Sequence, residues 1–311
     1  MIQLYKRMQK MREKYIDTLS KLYDYATTVY SKKQYTQWYD TKKGGYTYSS
    51  FKGKCDSLSK KLTQYGIGAG DKVAILSQSM PNWSVAFFSV VPFGRIAIPI
   101  LPDSSPNEIT NILEHSESKV IFVSQKLASK VSQECREKMT LVIDLDTFDV
   151  IKSDDNKFTC DGRTTVPTPD DIATIIYTSG TMGTPKGVML THRNILSVIE
   201  YLCPLYPIDE THDTISYLPL SHIYERTVQY CHVYLGCSTY YVDNLGAIVE
   251  TMGEVKPHHF SSVPRLIEKV YHTIVRKGQK LTGIKKAIFF WALNLAERYD
   301  ETKKEVLHYD I

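Results

Sequence analysis

The sequence lacks several features that define special classes of protein. Its six cysteines form no CxxC pair and no zinc-ligand spacing, which excludes a recognisable zinc module or redox CxxC motif. We therefore predict reduced, partly buried thiols in a cytoplasmic protein. No stretch of about 18 apolar residues occurs, so no membrane-spanning helix is expected. The charged first fifteen residues are followed by no apolar run, so no signal peptide is expected.

The chain also lacks a strong excess of charge of one sign. Lysine and arginine number 38, and aspartate and glutamate number 34, so the formal net charge is only +4. That charge is too small to predict a nucleic-acid partner. The excess is uneven, because residues 1–60 carry thirteen basic and five acidic side chains, a net +8. This basic segment fits either contact with an anionic membrane surface or an ordinary solvated face.

What the sequence does contain is the composition of an ordinary globular protein. Its 311 residues are 42% hydrophobic and 23% charged, which suits one large domain or two smaller ones. Short β-type runs alternate with helical patterns, and this alternation predicts an α/β fold of crossover βαβ units with mostly parallel sheets. The predicted strands are 72–76, 95–100, 119–123, 141–143, 172–177, 186–190, 214–218, 239–242 and 259–262.

Several other segments have readable patterns. Residues 34–48 have the pattern of a hairpin, and Ser49 or Ser50 is a candidate N-cap for the helix that follows. A helix is predicted over 125–139, and the polar residues 146–170 are predicted to form a surface connection.

Two further helices are predicted near the end of the chain, over 264–277 and 280–298. The second helix has an amphipathic aromatic stripe in KKAIFFWALNLAERYD, residues 285–300. We expect this stripe to pack against the rest of the fold, because large apolar side chains are usually buried.

The stretch YTSGTMGTPKGVMLTH, residues 177–192, carries the clearest chemistry in the sequence. Its glycines let backbone N–H groups approach an anion closely, and its hydroxyl groups add further donors. Lys186 adds a mobile positive charge that can follow charge developing on phosphate oxygens. The spacing fails the Walker pattern, because Pro185 stands where a glycine is required, and it fails GxGxxG as well. From the residues alone, the loop is either a phosphate cradle or a flexible hairpin turn with a solvated lysine.

This stretch closely resembles the phosphate loop of the adenylate-forming superfamily, whose usual form is [YF]TSGTTGxPKGVxxTH. The resemblance implies that a carboxylate attacks the α-phosphate of Mg-ATP, pyrophosphate leaves, and coenzyme A then displaces AMP. Met182 departs from the usual form, because it replaces a threonine and removes one hydroxyl. By resemblance, Thr181 is the magnesium ligand. The ATP-binding residues implied by the resemblance are Thr178, Ser179, Gly180, Thr181, Met182, Gly183, Thr184 and Lys186.

A second motif, SYLPLSHIYER at residues 216–226, resembles the long-chain fatty acyl-CoA synthetases. In that branch a histidine after LPL borders the acyl and nucleotide pockets. His222 stands at that place and is the predicted catalytic and substrate-binding residue, and Tyr224 is a predicted substrate contact. The residues alone leave other interpretations open, since a helix start explains His222 and an ion pair explains Glu225 with Arg226.

A third motif, FSSVPRLIEKVY at residues 260–271, resembles the segment beside the acyl tunnel in the same branch. Ser262 and Val263 are accordingly predicted to line the substrate pocket. Pro264 fits the first turn of the helix, and Arg265 is expected on the surface.

The resemblance covers nearly the whole chain and implies an incomplete large N-terminal domain over 1–311. We expect a first α/β subdomain over about 44–170 and a phosphate-loop and acyl-site subdomain over about 171–311. Superfamily members are considerably longer, so their C-terminal lid domain with its catalytic lysine would follow residue 311. This chain alone is therefore expected to be inactive.

The predicted function is ATP-dependent activation of a long-chain fatty acid to acyl-CoA, with ATP, Mg²⁺ and coenzyme A. A ligase for medium-chain or aryl acids is an alternative, as is a catalytically incomplete relative that binds acyl chains or nucleotides. The predicted partners are these small molecules and no nucleic acid, while peripheral contact with the inner face of a membrane is left open. The sequence predicts no oligomeric state.

Overall fold

The computed structural model describes residues 15–38, 45–154, 163–178, 186–242 and 246–299. The α-helices in these residues are α1 Leu19–Val29, α2 Tyr48–Gln64, α3 Pro81–Val90, α4 Pro106–Ser116, α5 Gln133–Lys138, α6 His192–Leu202, α7 Ile223–Leu235, α8 Ile248–Val255, α9 Pro264–Gln279 and α10 Gly283–Glu297. The strands are β1 Gln34–Trp38, β2 Tyr46–Thr47, β3 Lys72–Leu76, β4 Ile96–Ile100, β5 Val120–Val123, β6 Leu141–Asp144, β7 Val150–Ser153, β8 Ile172–Thr178, β9 Lys186–Thr191, β10 Asp213–Ser216, β11 Ser238–Tyr241 and β12 His259–Phe260. Short 3-10 helices cover Val91–Phe93, Gln125–Lys130 and Cys203–Leu205.

The chain divides into two units, residues 1–261 and residues 262–311. We call the described part of the first unit the body. Two helices, α9 and α10, make up most of what is described in the second unit, and we call them the helical pair.

Seven strands of the body form a mixed sheet in the order β7-β6-β5-β3-β4-β8-β9. The inner pairs are parallel, and the outer pairs β6–β7 and β8–β9 are antiparallel. Successive residues of β3 enter different hydrophobic clusters, Val73 and Ile75 in one, Ala74 and Leu76 in the other. Both faces of the sheet are therefore covered, as parallel sheets with crossover helices require.

The other five strands form a sheet in the order β12-β10-β11-β1-β2. Strands β12, β10, β11 and β1 pair in parallel, and β1 with β2 is the predicted antiparallel hairpin. The larger hydrophobic cluster contains side chains of both sheets, including Tyr35 and Tyr241 from this one and Val73 and Phe122 from the seven-stranded one. The predicted α/β class with mostly parallel sheets is confirmed.

Hydrogen-bonding side chains decide where several helices begin. Reciprocal capping boxes open α4 at Ser105 and α6 at Thr191. At α2 the cap is Thr47, whose hydroxyl accepts the Ser50 N–H at 3.1 Å. The predicted cap at Ser49 or Ser50 is therefore wrong, because the threonine one turn earlier satisfies the first free amides.

Two predicted segments differ from the observed ones. The helix expected over 125–139 is divided, because Val131 is extended and Ser132 caps a separate helix, α5, by accepting the Cys135 N–H. The segment 146–170, expected to be a surface connection, contains strand β7, which pairs with the edge of the sheet at β6. Five of the six cysteines, at positions 55, 135, 203, 231 and 237, are free and buried, as predicted, and Cys160 lies outside the described residues.

The helical pair has little interior of its own. Phe289 of α10 lies against Gly278 of α9, where an added Cβ would come within 2.0 Å of the ring. Tyr271 also donates a hydrogen bond to Glu297 Oε1 at 2.7 Å. Phe289 of the aromatic stripe thus packs as expected, whereas Trp291 of the same stripe is 63% exposed and no residue of α10 is buried. Across the described ranges, no helix has the combined length and apolar content needed to cross a bilayer.

Candidate functional site

Strands β8 and β9 bring together two residues of the predicted phosphate loop. Thr178, the last residue of β8, pairs across the hairpin with Lys186, the first residue of β9. Both residues are exposed, so the Lys186 ammonium is free to meet an anion at the end of the hairpin. The remaining predicted loop residues, Ser179, Gly180, Thr181, Met182, Gly183 and Thr184, lie outside the described residues.

The hairpin is held firmly to the rest of the sheet. Thr174 of β8 donates to the Ala97 carbonyl of β4 at 2.8 Å, and its side chain is fully buried. Gly187 stands opposite Tyr177, and an added Cβ there would come within 2.8 Å of Ile175. A glycine after the lysine therefore allows the close approach of the two strands.

His192 closes the sequence motif and has a structural role in this fold. Its ring is buried, and Nδ1 accepts the Leu19 N–H at 3.0 Å, at the start of α1. Burial lowers the pKa of His192 to about 4, so the ring stays neutral near pH 7. The last residue of the motif thus fixes α1 and takes no part in an exposed site.

The LPL turn after β10 is held against the loop that follows β3. Ser79 donates through Oγ to the Leu218 carbonyl at 2.8 Å and accepts the Leu220 N–H at 2.9 Å. The carboxyl end of β10 in one sheet is therefore attached to the carboxyl end of β3 in the other. In open α/β sheets, ligands bind at the carboxyl ends of strands, which makes this edge the candidate site.

His222 ends the turn and caps helix α7. Its N–H donates to the Pro219 carbonyl at 2.9 Å, and its ring Nδ1 accepts the Tyr224 N–H at 3.2 Å. A neutral imidazole that accepts at Nδ1 carries its proton on Nε2. The ring is exposed, so Nε2–H is available as a donor to a bound anion. Tyr224 is also exposed, on the first turn of α7.

Glu225 and Arg226 are buried and connect α7 to different sheets. Glu225 Oε1 accepts from Ser216 of β10 at 2.6 Å, whereas Arg226 Nη1 donates to Thr174 of β8 at 3.3 Å. The ion pair that the sequence left open does not form, because the two side chains extend to different sheets. The two residues together position the first turn of α7, and with it His222.

Burial makes both of these charges costly. It raises the pKa of Glu225 to about 7, although the Ser216 hydroxyl acts in the opposite direction. It also lowers the pKa of Arg226, whose guanidinium lies 5.5 Å from the centre of the Phe87 ring. Among the described residues, Glu225 Oε2 and Arg226 Nε and Nη2 have no hydrogen-bond partner.

The remaining predicted site residues lie in the second unit. Val263 is the N-cap of α9, and the Ser262 hydroxyl donates to its carbonyl at 3.3 Å. Their role as substrate contacts stays a prediction. Arg265 is exposed, as expected.

One pocket of about 360 Å³ lies away from this edge. It is lined by the end of α4, the end of α5 and the residues that precede β5 and β6, including Leu113, Lys119 and Met139. These residues lie at the amino ends of the strands, so the pocket is not the candidate site.

Sequence reasoning missed three residues that build the site. Ser79 and Thr174 lie outside the three motifs, and Ser216 opens the second motif without having been predicted as a site residue. Each of the three bonds the LPL turn or the first turn of α7. Thr174 and Ser216 had one available signal, a hydroxyl residue inside an otherwise apolar or β-branched run, since buried hydroxyls need partners.

Comparison with known proteins identifies the family of this chain. The model of the family described as "AMP-binding enzyme" matches residues 26–302. Long chain acyl-CoA synthetase 6, peroxisomal, of Arabidopsis thaliana is 31% identical over 260 residues, which is 76% of this chain and 37% of that protein. A human long-chain-fatty-acid–CoA ligase is 28% identical, over 80% of this chain and 41% of its own length. The chain thus spans about two fifths of the length of these curated relatives.

Solved structures show the same fold at low sequence identity. The N-terminal domain of FACL13 from Mycobacterium tuberculosis superposes with a TM-score of 0.70 at 21% identity, over 81% of this chain and 64% of that one. The o-succinylbenzoate CoA synthetase of Bacillus subtilis, in complex with an acyl-adenylate, gives 0.68 at 19% identity, over 81% of this chain and 63% of that one. Because the family model matches most of the sequence, the chain belongs to the AMP-binding enzyme family.

Proposed function

We propose that the full-length protein uses ATP to activate a long-chain fatty acid, first to an acyl-adenylate and then to acyl-CoA. The observation that carries this proposal is the sixteen-residue motif 177–192, in which Thr178 at the end of β8 pairs with Lys186 at the start of β9. The curated relatives named as long-chain acyl-CoA synthetases support the acid class.

In the first step, a carboxylate oxygen of the fatty acid attacks the α-phosphorus of ATP. The bond between that phosphorus and the bridging oxygen breaks, and pyrophosphate leaves with the electron pair. The Lys186 ammonium, exposed at the start of β9, stabilises the charge that grows on the leaving group. We propose Thr178, Ser179, Gly180, Thr181, Met182, Gly183 and Thr184 as the rest of this cradle.

Magnesium fits the donor chemistry of the loop. The described residues contain no cluster of three histidine, cysteine or acidic side chains that would hold a metal ion alone. Mg²⁺ at nucleotide sites is bound largely by phosphate oxygens and water, with few protein ligands. We propose Thr181 as the loop's oxygen donor, and bound Mg²⁺ supplies neutralisation of phosphate charge.

His222 is proposed to orient the acid for attack. With Nδ1 occupied by the Tyr224 amide, Nε2–H points away from the helix cap and can donate to a carboxylate or α-phosphate oxygen. Tyr224, Ser262 and Val263 are proposed to contact the acyl chain. In the second step, the thiol sulfur of coenzyme A attacks the acyl carbonyl, AMP leaves, and the thiol proton passes to solvent.

The domain organisation is also a proposal. We propose subdomains over about 44–170 and 171–311. Strands β8 and β9 of the second proposed subdomain belong to the same sheet as β4 of the first. A C-terminal lid domain would complete the adenylation site in the full-length protein. The cytoplasm remains the proposed location.

ATP–pyrophosphate exchange on the full-length protein tests the proposal. Exchange should depend most strongly on long-chain fatty acids in a panel that includes medium-chain, aryl and amino acids. Exchange only with aryl or medium-chain acids would move the protein to another acid class. No exchange with any acid would identify a catalytically incomplete relative.

Two substitutions test the residues in the same assay. Lys186→Ala should slow exchange by about 100-fold, because a charge at the leaving group is lost in a water-poor site, whereas Lys60→Ala on the exposed face of α2 should not. His222→Asn keeps an N-cap acceptor but loses Nε2–H. Its stability should stay near that of the wild type while its exchange rate falls, and equal rates would remove His222 from the site.

A further inference from the structure

Helix α10 presents an unusual combination of apolar composition and exposure. Its sequence, GIKKAIFFWALNLAE, is dominated by large apolar side chains, but none of its residues is buried. Ile284, Ile288 and Trp291 are 79%, 58% and 63% exposed. Their spacing of four and three residues places them on one face of the helix.

Helix α9 repeats the pattern. Ile267, Tyr271 and Ile274 have the same spacing and are 62%, 42% and 49% exposed. The contacts between the two helices, Phe289 on Gly278 and Tyr271 with Glu297, leave these stripes largely uncovered. An exposed apolar face of this kind marks an interaction surface.

Charge indicates what covers this surface. Residues 262–299 contain eight lysines or arginines and two glutamates, a net +6, although the whole chain carries only +4. Five of these basic residues fall within 276–286, around the turn between the helices, with no acidic residue among them. They are Arg276, Lys277, Lys280, Lys285 and Lys286.

We propose that the helical pair docks on an anionic lipid bilayer surface. The apolar stripes enter the boundary between headgroups and acyl chains, and the basic cluster at the turn meets the lipid phosphates. A basic helix with tryptophan and isoleucine on its apolar side is typical of helices that lie in the plane of a membrane interface. Trp291 suits this position, because its indole prefers the interface between water and hydrocarbon. This surface does not depend on the proposed function.

The test uses the full-length protein and sedimented vesicles of phosphatidylcholine, with and without about 30% phosphatidylserine, a content that makes the surface negative. The wild type should bind the anionic vesicles, more weakly at high salt, and should not bind phosphatidylcholine alone. Two double variants remove the surface: I288D with W291D, and K285E with K286E. Each should weaken binding at least about tenfold, because apolar insertion and basic attraction act together.

Matched variants on the body serve as controls. Tyr201→Asp changes an exposed aromatic residue of α6, and K54E with K60E reverses two exposed charges of α2. Both should bind the anionic vesicles as the wild type does. The difference in fluorescence between the wild type and Trp291→Phe reports on Trp291 alone, and it should shift to shorter wavelength when anionic vesicles are added.

Four results would overturn the proposal. The wild type could fail to bind anionic vesicles, or the two helical-pair variants could bind as well as it does, which would place the contact elsewhere, such as residues 1–60. Trp291 could already be shielded from acrylamide without vesicles, which would show that the rest of the protein covers it. The I288D and W291D double variant could convert a dimer to a monomer, which would identify a second copy as the occupant.

Discussion

Helices α3 and α10 have similar composition and opposite burial. The sequence of α3, PNWSVAFFSV, and that of α10, GIKKAIFFWALNLAE, each contain a tryptophan, a Phe–Phe pair and alanine. Nine of the ten residues of α3 are buried, and no residue of α10 is. The apolar composition of a helix thus indicates how much apolar surface it carries, but it does not predict whether other parts of the protein bury that surface.

The position of α3 in the topology explains its burial. α3 is the crossover between the parallel strands β3 and β4, so it has a sheet on one side. Trp83 stacks on Phe87 with ring centres 5.5 Å apart, and Phe88 lies 6.0 Å from Tyr23 of α1. Within its own unit, α10 contacts α9 through Phe289 on Gly278 and through the hydrogen bond from Tyr271 to Glu297.

The largest expected effect contrasts the two tryptophans. Trp83 is 1% exposed, so Trp83→Ala should lower the free energy of unfolding by about 3–5 kcal/mol through lost burial and a cavity. Trp291→Ala should change it by less than about 0.5 kcal/mol, because that side chain is largely in solvent. Urea unfolding of the two full-length variants measures both values. Equal losses would break the comparison and show that protein covers α10.

A second prediction concerns buried charge, which the body contains and the helical pair lacks among its described residues. Burial raises the pKa of Glu225 from 4.5 to about 7. Between these two pH values the folded protein keeps a proton on Glu225 that the unfolded chain has released. Stability from this group therefore falls as pH rises from about 4.5 to 7, and the ionised form is destabilising above that range. Glu225→Gln should raise the unfolding free energy at pH 8 by on the order of 3 kcal/mol, at 1.36 kcal/mol per pKa unit.

Unfolding measured at several pH values tests this sign. The advantage of Glu225→Gln should shrink towards pH 5, where the wild-type carboxyl is protonated in the folded state. Glu254→Gln, an exposed change on α8, should show no such trend. A constant difference between Glu225→Gln and the wild type across pH 5–8 would contradict a raised pKa.

The smallest expected effect compares two N-cap threonines. Thr191 caps α6 with a reciprocal box, so Thr191→Ala should cost about 1 kcal/mol. Thr282 stands at the N-cap of α10 without a side-chain cap hydrogen bond, so Thr282→Ala should cost less than about 0.5 kcal/mol. Denaturant unfolding measures the first, and helical circular dichroism checks the second. A larger loss at Thr282 would mean that α10 relies on its cap for stability.

Much of the fold was predictable from local pattern. The strand β3 at 72–76, the hairpin within 34–48 and the helix that begins at Pro264 follow directly from residue periodicity and from turn and helix-start chemistry. The errors at 125–139 and at β7 have different causes. Ser132, inside the predicted helix, caps a separate short helix, whereas β7 forms by pairing with the sheet edge at β6.

The sequence predicted the motifs of the candidate site, but it did not predict the long-range contacts that hold those motifs in place. The pairing of Thr178 with Lys186 follows from a strand, a turn and a strand in sequence. The contacts of Ser79 with the LPL turn and of Arg226 with Thr174 join residues 139 to 141 and 52 positions apart. The periodicity within a motif cannot predict such contacts, because they form only when the two sheets and their helices have packed together.

The sequence by itself determined the family and the α/β alternation, because these depend on local spacing and side-chain chemistry. It also predicted which residues meet phosphate. Only the tertiary structure decided that Glu225 and Arg226 separate to bond two different sheets, and that His192 is a buried support while His222 is exposed. It also decided that α10 leaves its apolar face uncovered. The physical reason is that burial is a property of what surrounds a side chain, and those surroundings come from distant parts of the chain.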